Sequence, residues 1–145
     1  MLATVTVVGI VVLALLIWFL VHSRSQDAMS ALMEKHRASS RIVSRAEYVE
    51  GMHHIPVVLA LENDNVYYEN ADLQASFELA RIDDIEYDDE LATGSSVAAG
   101  TRALRLRSHG STFEFVMPAA ESAKWETVLP PLNPRRNGAT GTSVA

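Results

Sequence analysis

The sequence predicts an N-terminal transmembrane helix followed by a mainly-β domain of about six or seven antiparallel strands, closed by a C-terminal helix. Three observations predict it. Residues 2–21 contain no charged side chain, residues 41–117 alternate apolar and polar with a period of two, and a proline-bounded segment around Trp125 has helical spacing. The chain of 145 residues has room for one such domain and one appendage.

Residues 2–21 read LATVTVVGIVVLALLIWFLV. As a helix they would extend about 30 Å, the thickness of a bilayer's hydrocarbon core. Trp18 falls near one end, where an amphipathic ring favours the interface. A signal peptide would carry a basic leader, a shorter apolar run and small residues at the cleavage site, and none of these is present. A pilin-like subunit would show a basic leader and a Glu early in the apolar helix, also absent. A signal peptide nevertheless stays the main rival to an uncleaved anchor, and a buried core helix the lesser one.

Orientation follows from the flanking charges. Arg24, Lys35, Arg37 and Arg41 follow the apolar run within about 20 residues, whereas only the α-amino group precedes it. The positive-inside rule therefore places the C-terminal domain in the cytoplasm and the N-terminus outside, on a single-pass protein of the inner (plasma) membrane. A chain without cysteine is compatible with that compartment.

Charge also divides the rest of the chain. Residues 22–45 carry five basic and two acidic side chains, residues 46–101 one basic and thirteen acidic, and residues 102–136 six basic and three acidic. The net charge of −6 argues against nucleic acid as a partner, because neutralising phosphates needs a basic surface. Arg24, Lys35, Arg37, Arg41 and Arg45 form the segment that anionic headgroups would attract. Within it, Ala28, Met29, Leu32 and Met33 have helical spacing, so residues 23–38 read as a juxtamembrane helix or a continuation of the span. Residues 133–145, rich in Gly, Ser, Thr and Asn, read as a disordered tail.

The domain itself occupies residues 39–132. Residues 42–49 are either a first strand or an extension of the preceding helix. Val57, Val58, Leu59, Ala60 and Leu61 make a largely buried strand, turned by Asn63, Asp64 and Asn65 into Val66, Tyr67 and Tyr68. Leu73, Ala75, Phe77 and Leu79 alternate with polar residues, and Ile82, Ile85 and Tyr87 mark a further strand. Residues 93–100 form a flexible loop. Ser108, His109, Gly110 and Ser111 then offer a two-residue hairpin turn with Gly at its second central position. Ser108 opposite Ser111 sets Leu106 against Phe113, Leu104 against Phe115 and Arg105 against Glu114. Pro118 suits a helix start, Trp125, Val128 and Leu129 line one helix face, and Pro130 and Pro131 stop it. Trp125 is the expected structural anchor of the closing helix.

This order of elements resembles the pleckstrin-homology (PH-like) superfold, and within it bacterial PH-like and GRAM-like domains tethered to a membrane helix. The likeness is carried by LALENDNVYYEN (residues 59–70), FELARIDDIEYDDE (77–90), LRLRSHGSTFEF (104–115) and the helix holding Trp125. The resemblance implies a binding or scaffolding module, not an enzyme. Phosphoinositide-holding relatives use Lys/Arg-rich positions around the first two strands; here Gly51, Met52, His53 and His54 stand there, so no phosphoinositide residues are carried over.

Other chemistry finds little footing. His53 and His54, adjacent on a strand, would point to opposite faces and could not share a metal ion. Asp83, Asp84, Glu86, Asp88, Asp89 and Glu90 lack the glycine-containing calcium-loop pattern and read as a solvated acidic edge. Arg105 is expected to pair with Glu114 and Arg107 to remain free. No nucleophile elbow and no phosphate-binding glycine loop occurs. The expected role is thus a membrane-tethered, non-enzymatic interaction module without cofactor, with the bilayer and unknown proteins as partners. An anionic-lipid surface sensor using the five basic residues is the first alternative, and a metal-dependent or hydrolytic enzyme the second.

Overall fold

The computed structural model describes residues 2–132; the expected tail, 133–145, lies outside the described residues. Helix α1 (Leu2–Arg37) is followed by strands β1 (Ile42–Glu50), β2 (His53–Glu62), β3 (Asn65–Glu69), β4 (Gln74–Glu78), β5 (Asp84–Asp88), β6 (Thr101–Ser108) and β7 (Ser111–Pro118), and by helix α2 (Ala119–Val128). A 3-10 turn, Leu79–Arg81, sits between β4 and β5. All seven strands form one antiparallel sheet in the order β4-β3-β2-β1-β7-β6-β5.

Residues 42–49, left open between strand and helix by the sequence, belong to β1. The helix ends before them because Ser39 and Ser40 both donate backbone N–H groups to the His36 carbonyl, which satisfies the last turn and turns the chain back. The β6–β7 hairpin has the register expected from its turn: Ser108 opposite Ser111, Leu106 opposite Phe113, Arg105 opposite Glu114 and Leu104 opposite Phe115. His109 and Gly110 both have positive φ, 49° and 81°, which matches the twist of the flanking strands.

The inner face of the sheet holds the core. Val57, Leu59, Leu61, Val66, Leu104, Leu106, Phe115 and Met117 are buried there. An aromatic chain, Tyr48, Tyr68, Phe77, Phe113 and Phe115, links β1, β3, β4 and β7 through ring centroids 4.4–5.5 Å apart. Helix α2 closes this face through Trp125, which is wholly buried. Its indole N–H donates to Ser44 Oγ (3.1 Å), which donates in turn to Glu121 (2.6 Å). Pro118 ends β7 and occupies the N-cap position of α2, so the helix begins at Ala119, one residue after the expected start. Beyond α2, Leu132 adds two backbone hydrogen bonds to Ile85 on the outer edge of β5.

Candidate functional site

The outer face of the sheet is covered as well, by two separate pieces of chain. Val58 and Ala60 are fully buried but lie outside the core cluster, on the opposite side of β2 from Val57 and Leu59. The C-terminal half of α1 packs over them, against β1 and β2. Its half-buried residues include Ala28, Met29, Leu32 and Met33, the stripe expected from spacing. At the far end His36 is buried; it donates to Glu69 (2.9 Å) and its ring stacks at a tilt on Tyr67. Lys35 adds two hydrogen bonds to the same carboxylate. Burial alone would raise the Glu69 pKa, but His36 and Lys35 outweigh it and hold the group below the usual carboxylate range.

The second cover is the segment between β5 and β6. It is fastened by an ionic cluster that corrects two sequence expectations. Asp84 and Glu86 are buried, not part of a solvated edge, and Arg107 is not free: it binds Asp84 (2.8 Å) and Glu86 (3.0 Å). Arg105, also buried, binds Glu86 (2.9 Å) and Glu114 (3.0 Å). Their register explains this, since Asp84 faces Arg107 and Glu86 faces Arg105 across β5–β6. Burial disfavours the charged guanidinium of Arg105, but hydrogen bonds from it to Glu86 and Glu114 raise its pKa overall. The same groups pin the connecting chain. Arg105 donates to the Glu90 carbonyl and the Ala92 N–H donates to Glu114. The expected flexible loop is therefore anchored at its start.

Between the two covers a groove of about 850 Å³ remains. Gln26 and Met29 of α1 form one wall, Leu91 and Val97 the other, with Glu47 of β1 and Val116 of β7 in the floor. Arg45 crosses the first wall, donating to Gln26 (3.0 Å) and Ser30 (2.9 Å). His54 meets Glu47 at 2.9 Å, while the exposed Met52 stands at the groove's end. Apolar walls with a few oriented polar groups are the usual lining of a ligand-binding cleft. Among the described residues no three His, Asp or Glu side chains are grouped to hold a metal. His53 and His54 lie in β2, both exposed.

The five basic residues expected to meet lipid are not gathered into one patch. Lys35 is held by Glu69, Arg37 by Glu34 and Arg41 by Asp64, and Arg45 is turned onto α1. Arg24 is exposed on the helix. Sequence reasoning missed the groove, although one of its walls was visible as the uncharged run at residues 91–101. No protein-family model matches this chain, and no curated protein or solved structure matches it.

Proposed function

We infer that the chain is a single-pass, membrane-tethered and non-catalytic interaction module. It would hold a small PH-like domain on the cytoplasmic face of the inner membrane and use the outer-face groove to engage a protein partner. One observation carries this reading. Helix α1 runs unbroken over 36 residues, about 54 Å, and among the described residues Gln26, Ser30, Lys35 and His36 bond to the domain. The helix is long and apolar enough to cross a membrane, and its Ile10, Leu13, Trp18 and Val21 are exposed. Exposed apolar surface on that scale needs a nonaqueous environment. The excess of Arg and Lys after the apolar run supports the cytoplasmic orientation. The strand number, the strand order and the closing helix support the PH-like reading.

The anionic-lipid sensor is less well supported. Lys35 and Arg37 stand about 17–20 Å further along the helix than Arg24, beyond about one Debye length from headgroups at that end. Carbonate extraction of membranes tests the tether: the chain should stay in the pellet, and its release would refute the reading. Affinity capture from membranes then tests the groove. A partner retained by the native chain should be lost with Glu47→Lys plus Val97→Asp, and equal retention would exclude the groove as its site.

A further inference from the structure

Helix α1 serves as a ruler for the domain packed on it. Lys35 and His36 meet Glu69, with Glu62 at 3.9 Å from His36, whereas Arg45 meets Gln26 and Ser30. Glu69 lies in register with Val58, and Val58 with Arg45, so the contacts cross from β3 to β1 as they move back along α1 and the helix runs obliquely over the strands. Arg45 stands level with about residue 30. The five steps from Arg45 to Glu50 add about 16 Å of strand. An oblique crossing that keeps about half of that rise carries the β1–β2 tip to the level of about residue 25, about 6 Å from the end of the apolar run. A second observation agrees, since Gly51 and Met52 line the same groove as Gln26 and Met29.

The surface at this level is unusual in the chain. Met52 is 95% exposed. Across the groove, residues 91–101 carry no charge, although the three residues before them are all acidic. An exposed thioether at a hairpin tip has nothing of its own domain to cover it. We propose that the tip at Gly51 and Met52, together with the uncharged turn at residues 91–95, which is tied through Ala92 to Glu114 opposite Val49, sits in the interfacial layer of the same bilayer that holds α1. The proposal rests on α1 being a membrane span. The contact is apolar: Glu50 and His53 flank Met52, and no Lys or Arg lies between Arg45 and Arg81 to recruit anionic headgroups. The domain would therefore touch the membrane twice, through its tether and through this edge.

A chain without cysteine makes the test direct. Full-length Met52→Cys and Asp64→Cys are labelled with an environment-sensitive fluorophore and reconstituted into phosphatidylcholine vesicles, with and without lipid carrying a shallow quencher. Asp64, exposed in the β2–β3 turn beside Arg41, lies at the opposite end of the ruler. The label at position 52 should show blue-shifted emission and lose most of it to the quencher, equally at low and high salt, while the label at 64 stays aqueous. Flotation of the labelled chain with the vesicles is scored alongside. A chain that floats with an unquenched label at 52 overturns this inference and leaves the tether standing. Equal quenching at both positions overturns it too, because the ruler would be wrong. A chain that fails to float overturns both readings.

Discussion

Replacing Trp125 by Ala removes the only side chain of α2 that is both large and fully buried, and with it the N–H that Ser44 accepts. Truncating a buried Trp costs about 3–5 kcal/mol. A domain of this size has about 5–15 kcal/mol in total. With a urea slope of about 2 kcal/mol per molar, the midpoint should fall by about 2 M. Trp125→Phe keeps most of the ring and leaves Ser44 still donating to Glu121. It should cost about 1 kcal/mol from the lost hydrogen bond, or about 0.5 M. Near-ultraviolet circular dichroism of the detergent-solubilised full chain reads this transition, because all four tyrosines lie in the β domain. The full chain is needed because a fragment starting at residue 39 would uncover Val58 and Ala60. If Trp125→Ala left the midpoint within about 0.3 M of the native value, α2 would not be docked through this residue. The closed β domain would then lose its main support.

Arg105→Met should be more damaging than Arg105→Lys, since it removes the cation that Glu114 pairs with and leaves Glu86 to Arg107. About 3–5 kcal/mol is expected for removing one partner of a buried pair, read as a lower urea midpoint, and a rank order reversed between the two variants would contradict the cluster's role. Acid should loosen the end of α1 and the start of α2 first: Glu69 and Glu121 are held below the usual carboxylate range, so their contribution is present above the ordinary value and lost as pH falls through the lower folded one. Hydrogen exchange below pH 4.5 should therefore accelerate at residues 30–37 and 119–125 ahead of the β6–β7 hairpin, and Glu69→Gln should flatten the response at 30–37. His109→Asn, at φ 49° in the turn, should raise thermal stability by about 0.5–1 kcal/mol, because Asn tolerates the left-handed region better. A drop in the melting temperature would argue against that turn geometry.

What the sequence disclosed depended on how far apart the interacting residues lie. The β6–β7 register was legible because a two-residue turn and three facing pairs all agree within twelve residues. The largely buried strand at residues 57–61 was legible too, as five apolar residues in a row, but that α1 covers the outer face of β2 was not. The ionic cluster was missed for a related reason. Asp84 and Glu86 repeat with period two, as do Arg105 and Arg107, and these matching patterns were the available signal. They are separated by the long 89–100 connection, and only the strand order brings β5 beside β6. The groove was the least legible feature, because it is what two independent covers leave between them.

On the proposed tethered reading, the unbroken course of α1 has a consequence for how the domain would search for anything it binds. Fifteen residues of flexible chain, the length from 23 to 37, would have an r.m.s. reach of about 20–23 Å. The same fifteen residues as helix extend about 22 Å, so the average distance is unchanged while the spread is removed. A flexible leash would let the groove sample every height and tilt and accept many targets weakly. The helix instead offers it at one height and one tilt, free only to rotate about its axis. Targets presented at that height meet a raised effective concentration, and targets elsewhere meet almost none. Selectivity of this kind needs no contact residue at all, and one glycine pair or proline inserted near residue 24 would abolish it while leaving the groove intact.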